Sequence, residues 1–277
     1  MITRACISIN NRCNLNCLYC HFHEKKEYIR KAKMDVFQIL DNIKRHIEIH
    51  NLSLFKLGFV GNGEPLLDYP KLKEYILYIS DYLKKGKIAA YTISNGLLID
   101  SDKLEFFKEN NVNVSFSIDG IKEIHDKYRC GSYDRVIKGI ELFKSINGKY
   151  PSMNCTVGKE VIEYAEATIT FFEQFNNRIT FSRMIGKYGI SMNEFQHFLE
   201  NARLRLDVRT GGYDCTMYGG LCGAGIENIF YANGKIYICG NCVDLDYYMP
   251  SDTPLDDVHF EVEAFDRHGC FKEVSEK

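Results

Sequence analysis

Arg12-Cys13-Asn14-Leu15-Asn16-Cys17-Leu18-Tyr19-Cys20 is the stretch on which the reading of this 277-residue chain turns. Its three cysteines are spaced C-x3-C-x2-C. A cubane [4Fe–4S] cluster normally takes four thiolates, one per iron. Three thiolates from one short loop hold three irons and leave the fourth open to a chelating amine and carboxylate. The competing reading is zinc, with Cys13, Cys17, Cys20 and His21 or His23 as ligands. Structural zinc motifs more often pair two short arms across a longer gap.

Outward from this loop, the apolar run Leu54–Val60 leads into Gly61-Asn62-Gly63-Glu64-Pro65. Read alone, that segment is a turn. Together and in this order, the two segments resemble the radical S-adenosylmethionine superfamily. Its members carry C-x3-C-x-Φ-C after the first strand, with Φ aromatic (here Tyr19), and a G-G-E-P-like motif after the second. The resemblance implies a catalytic [4Fe–4S] cluster on Cys13, Cys17 and Cys20. It implies S-adenosylmethionine on the open iron, as source of a 5′-deoxyadenosyl radical, chemistry that only a cofactor can carry. Gly61, Gly63 and Glu64 are then expected at the methionine ammonium. Glycines admit close backbone approach, and a carboxylate suits an ammonium.

Short β-like runs alternate with amphipathic helical stretches. Strands are expected at Cys6–Asn10, Leu54–Val60, Ile88–Ser94, Val112–Ile118, Met153–Val157 and Ile179–Met184. Helices are expected between them: one with Val36, Ile39, Leu40, Ile43 and Ile47 on one face, then 71–84, 101–110, 133–147 and 161–176. Six such units imply an α/β fold with a parallel sheet and right-handed crossovers. The resemblance makes this a partial (β/α)6 barrel, with ligands at the C-terminal strand ends. Ser94-Asn95-Gly96 and Ser117-Ile118-Asp119-Gly120, the latter followed by His125-Asp126-Lys127-Tyr128-Arg129, resemble the T-N-G and S-x-D-G…H-D-x-x-R pattern of one branch. That branch carries a cysteine-rich SPASM or twitch extension. It implies Ser117 near the nucleoside and Asn95 facing the same cleft.

The second cysteine group comprises Cys215, Cys222, Cys239, Cys242 and Cys270. Ile226–Tyr231 and Lys235–Ile238 alternate around Asn233-Gly234, a strong hairpin signal. A hairpin returns Cys239 to the neighbourhood of Cys222. Cys222-x11-Gly234-x4-Cys239 resembles the opening of the SPASM/twitch pattern. A full SPASM domain has seven cysteines and two auxiliary clusters; five cysteines imply the shortened, twitch-like form with one auxiliary [4Fe–4S] cluster. Its expected ligands are Cys222, Cys239, Cys242 and Cys270, with Cys215 able to exchange roles with Cys270. A four-cysteine zinc ribbon is the alternative. A spare Cys215 is either a hydrogen donor to a substrate radical or a small core residue. The expected boundary divides 1–205, the barrel, from 206–277, the twitch-like extension.

Eleven cysteines without a signal peptide argue against a disulfide scaffold and for a cytoplasmic, metal-using chain. No run of about 18 apolar residues exists to span a membrane. From Cys215 onward 4 Lys and Arg face 11 Asp and Glu, a poor platform for nucleic-acid phosphates. The resemblance implies hydrogen abstraction from a ribosomally made precursor peptide, giving epimerisation or a crosslink, with a flavodoxin- or ferredoxin-like electron donor. No leader-binding domain is read before the first strand, so leader recognition falls to another surface or to a separate leader-binding protein. The alternatives are a small-molecule (sugar or alcohol) radical dehydrogenase or epimerase and a zinc-stabilised binding protein.

Overall fold

Six parallel strands carry the molecule: β1 (Arg4–Ile7), β2 (Phe55–Phe59), β3 (Ile88–Ser94), β4 (Asn113–Ser117), β5 (Ser152–Val157) and β6 (Ile179–Arg183), adjacent in chain order. The computed structural model describes residues 1–20, 34–209, 213–216, 220–262 and 265–275. His21 and His23, the imidazoles of the zinc reading, lie outside them. Each strand pairs in register with the next, for instance Ala5 with Leu57 and Leu57 with Ala90. Phe59, Phe116 and Phe181 are fully or almost fully buried between the sheet and its helices. A sheet covered by crossover helices gives strands this apolar.

The helices follow their apolar periods. Helix α1 (Val36–Ile49) buries Val36, Ile39, Leu40, Ile43 and Ile47, the face read from the sequence. Asp35 caps it by accepting from the Gln38 amide at 3.2 Å, a cap worth about 1 kcal/mol. The expected helix 71–84 is two, α2 (Tyr69–Tyr78) and α3 (Ser80–Lys84), separated by the fully buried Ile79. Helix α4 (Ser101–Glu109) follows, then a helix the sequence analysis did not separate, α5 (Lys122–Tyr128), and α6 (Tyr133–Asn147). The stretch 161–176 is likewise two helices, α7 (Lys159–Glu163) and α8 (Ala165–Glu173), broken at Tyr164. Periodicity over a dozen residues does not register a one-residue break. Helix α9 (Met192–Arg203) starts at Ser191, where Ser191 and Glu194 form a capping box.

Beyond α9, β7 (Tyr213–Asp214) and β8 (Leu221–Cys222) pair in parallel. The expected hairpin is β9 (Asn228–Ala232) and β10 (Lys235–Tyr237), turning through Asn233 and Gly234, both at positive φ (54° and 74°), as a type I′ turn requires. It is followed by β11 (Tyr248–Pro250) and a short terminal helix, α10 (Phe271–Ser275). The hairpin does not stand apart from the barrel. Strand β9 pairs in parallel with β1, Cys6 opposite Phe230, so one nine-stranded sheet runs β11-β10-β9-β1-β2-β3-β4-β5-β6. The outer edge of β1 would otherwise leave a row of unpaired backbone groups. The sheet therefore crosses the boundary expected at 205/206. If this pairing holds in solution, amides of Ile229–Tyr231 will exchange as slowly as those of Ala5–Ile7. Fast exchange of β9 beside a protected β1 would show that the extension is only loosely docked.

Candidate functional site

At the C-terminal ends of β1–β4, a cleft of about 940 Å³ opens between the cysteine loop and the loop after β2. Cys13, Cys17, Cys20, Tyr19, Gly61, Gly63, Glu64, Asn95 and Ser117, read separately from the sequence, all line it.

The two loops are locked to each other. The Glu64 amide donates to Arg12 O at 2.8 Å, and Asn10 Nδ2 donates to Glu64 O at 3.0 Å. A Cβ on Gly63 would lie 2.1 Å from Arg12 O, so only glycine lets the backbones approach this closely. The Glu64 carboxylate accepts from Leu66 N (3.1 Å), Ser94 Oγ (2.9 Å) and Asn95 N (2.8 Å). Burial raises its pKa, opposed by these three donors. Both oxygens thus hold the ends of β2 and β3 together, leaving about one of four lone pairs for a ligand. Asn95 continues the chain of contacts, with Nδ2 donating to Asn14 Oδ1 at 2.8 Å and lying 3.8 Å from Cys13 Sγ.

On the other side the cysteine loop is held by the S-x-D-G…H-D-x-x-R residues. Tyr19 Oη donates to Asp119 Oδ2 at 2.6 Å and accepts from Arg129 at 2.7 Å. Asp119 Oδ1 accepts from Thr156 N, and the Asp119 amide donates to His125 Nδ1. Burial holds His125 down to about 4, keeping the ring neutral and able to accept. Asp119, His125 and Arg129 were visible as a motif but not assigned as site residues; their spacing was the signal. The hydroxyl of Tyr19 is thus engaged by Asp119 and Arg129.

Three buried polar atoms of cleft-lining residues lack a hydrogen-bond partner: Asn62 Oδ1, Arg129 Nε and Asn233 Nδ2. An acceptor of this kind suits an ammonium, and a buried guanidinium beside Cys17 suits a thiolate-ligated, anionic cluster. Burial pushes the Cys17 thiol up to about 12, against the pull of Arg129, and raises Cys13. Cluster loading here must therefore release protons. The donor set and its surroundings fit the expected group.

A second cavity of about 270 Å³ is lined by Cys215, Cys222, Cys239, Cys242 and Cys270 together. The hairpin brings Cys222 and Cys239 together as expected. Cys270 arrives because the Cys222 amide donates to Arg267 O (2.9 Å) and Arg267 donates back to Cys222 O (2.6 Å). Cys215 arrives through the β7–β8 pairing of Asp214 with Cys222. Cys222 sulfur accepts from the Ala224 and Phe271 amides, and Cys270 sulfur from those of Lys272 and Glu273. Burial raises the pKa of both, and the charge of Cys239 adds to it. Cys215 thus stands with the second group and not on the wall of the first cleft. Val60 and Ile93 line both cavities, an apolar partition between the two cysteine groups. Among the described residues, the His, Cys, Asp or Glu donors gathered within 4.8 Å as a group of three are His46, His50 and Asp256; neither cysteine group is drawn in that far. One tetrahedral zinc would need sulfur spacings of about 3.8 Å.

If Glu64 is first a tie between strand ends, Glu64→Gln will matter without any cofactor. The amide puts an N–H against a backbone or hydroxyl donor. Loss of about 1–3 kcal/mol is expected, read as a lower melting temperature of iron-free protein. An unchanged melt would mean that the carboxylate serves the ligand alone.

The sequence profile of the Radical SAM superfamily matches residues 7–172. The cysteine-type anaerobic sulfatase-maturating enzyme of Clostridium novyi (strain NT) is 28% identical over 173 residues, 60% of this chain and 46% of that protein. The chain spans about half the length of the curated relatives it matches. Native anSMEcpe with bound AdoMet superposes with a TM-score of 0.71 at 21% identity, over 96% of this chain and 82% of that one. Streptococcus suis SuiB bound to S-adenosylmethionine gives 0.76 at 14% identity, over 100% and 73%. Both likenesses are of fold. A profile match covering more than half of the chain places it in the radical SAM superfamily, whose cofactors are a [4Fe–4S] cluster and S-adenosylmethionine.

Proposed function

We propose that this chain is a radical SAM enzyme acting on a peptide, with a catalytic cluster in the first cleft and an auxiliary cluster in the second cavity. The observation that carries the reading is the placement of two cysteine groups in two cavities that share the Val60–Ile93 wall. Cys13, Cys17 and Cys20 would hold the catalytic [4Fe–4S] cluster. Cys222, Cys239, Cys242 and Cys270 would hold the auxiliary one, with Cys215 as the alternative fourth ligand or a spare thiol. When bound, the first cluster and S-adenosylmethionine supply a hydrogen-abstracting 5′-deoxyadenosyl radical.

The chain's own residues would orient and shield. Gly61 and Gly63 let the loop after β2 close against the cysteine loop. The free lone pair of Glu64 and the unpartnered Asn62 Oδ1 would receive the methionine ammonium. Ser117, at the end of β4, would face the nucleoside, with Asn95 between it and Cys13. On this reading residues 1–205 carry the radical chemistry and 206–277 the auxiliary cluster.

A peptide substrate is supported by what the relatives are. The Clostridium novyi protein is named for maturing sulfatases, and anSMEcpe has also been solved with AdoMet and a bound peptide. Epimerisation or a crosslink in a ribosomally made precursor is the favoured outcome, making the chain a peptide-modifying oxidoreductase or epimerase. A flavodoxin- or ferredoxin-like donor would supply the electron, and leader recognition, where the substrate has a leader, would fall to another surface or to a separate protein. No described helix is long and apolar enough to cross a membrane.

Iron counting tests the ligand assignment. Anaerobically reconstituted protein should hold about eight irons, four per cubane. Replacing Cys13, Cys17 and Cys20 together by Ala should remove about four of them and all 5′-deoxyadenosine formation. Replacing Cys239 by Ala should remove the other four and leave uncoupled cleavage. Cys215→Ser should keep both clusters if Cys215 is the spare thiol; loss of the second cluster would make it a ligand. Undiminished cleavage in the triple variant would sink the proposal.

A further inference from the structure

Outside both cysteine cavities, the C-terminal end of α1 meets the acidic segment after β11. His46 Nδ1 and His50 Nε2 each lie 2.6 Å from Asp256 Oδ1. The second nitrogen of His46, Nε2, lies 3.0 Å from the carbonyl oxygen of Ile2. A carbonyl oxygen can only accept, so Nε2 must carry a proton. In neutral imidazole that leaves Nδ1 as a bare lone pair aimed at a carboxylate oxygen. The three donor atoms lie within 4.8 Å of one another. The His46 ring is buried, 3% exposed, against the half-exposed Asp256.

We propose that His46, His50 and Asp256 form a site for a divalent transition-metal ion of the zinc class. Two imidazoles and a carboxylate make a set of borderline-soft and hard donors that suits zinc and not magnesium or calcium. His46 and His50, one helical turn apart, present adjacent nitrogens on one face. The Ile2 carbonyl fixes the His46 tautomer with Nδ1 as the ligating atom, as outer partners of metal-bound histidines do. His50 and Asp256 are each 36% exposed, which leaves room for water to complete the coordination. Zinc about 2.0–2.2 Å from each donor separates them by about 3.3 Å. Asp256, on the short turn Leu255–Asp257, has to move outward by less than about 1 Å. The ion would pin three separate parts of the chain: the start of β1 through Ile2, helix α1, and the segment after β11. It would fasten the extension to the barrel on the side where Asn42 Nδ2 also donates to Asp252 O. None of the three ligands lines either cysteine cavity.

The test uses protein with its iron–sulfur clusters already loaded, so that the seven proposed cluster ligands are not open to zinc. After equilibrium dialysis against zinc alone, the wild type should retain about one zinc per chain at unchanged iron content. Zinc at about 100 times its dissociation constant should raise the melting temperature by about 5 °C. His50→Ala and Asp256→Asn, both at half-exposed positions, should keep their iron and fold but lose the zinc and the thermal shift. A wild type that retains no zinc would reduce the trio to a hydrogen-bonded ion pair and overturn the proposal. So would zinc retained equally by both variants, or zinc gained at the expense of iron.

Discussion

The site depends on one close contact, the backbone of Gly63 pressed against that of Arg12. Had residue 63 any side chain, its first carbon would overlap the Arg12 carbonyl. Because it has none, the Glu64 amide reaches Arg12 O, Asn10 reaches back to Glu64 O, and the cysteine loop is fixed one residue before Cys13. The Glu64 side chain carries the constraint on to Ser94 and Asn95 at the end of β3. Tyr19, through Asp119 and Arg129, fixes the far side of the same loop to the end of β4. Three cysteines on a loop free to move would pay ordering entropy on every cluster binding; here the polypeptide has already met much of that cost.

The same economy of placement links the two halves. Gly61, at φ 146°, packs where a Cβ would lie 2.8 Å from Phe230 of the hairpin. Asn233, at the hairpin's turn, accepts from Asn11 beside the cysteine loop and lines the first cleft. The extension therefore does more than carry its own cysteines: its strand extends the sheet at β1, and its turn forms part of the wall of the first cleft. A substitution in the hairpin can be expected to reach the first cleft through these contacts.

Much of this was legible in the sequence. Short apolar runs located all six barrel strands to within a few residues, because strands of a parallel sheet covered by helices are rich in apolar residues. The Asn233-Gly234 turn was legible because both positions need positive φ. The cysteine loop and the Gly-Asn-Gly-Glu-Pro loop were legible through their resemblance to a family. What was not legible was long-range. Nothing local says that β9 lies beside β1, since parallel pairing leaves no turn signature. The reciprocal bonds of Arg267 and Cys222 that bring in Cys270 span 45 residues. The use of the Glu64 carboxylate as a tie was also hidden, because motif reading assigns a buried acid to its ligand before its neighbours.

The central claim is that Cys13, Cys17 and Cys20 hold a cluster whose fourth iron is open to S-adenosylmethionine. Electron paramagnetic resonance of the dithionite-reduced Cys239→Ala variant, which should keep only that cluster, tests it most directly. The account predicts a [4Fe–4S]⁺ signal whose g-values shift when S-adenosylmethionine is added, because the amine and carboxylate join the cluster. A signal left unchanged by saturating S-adenosylmethionine would contradict it.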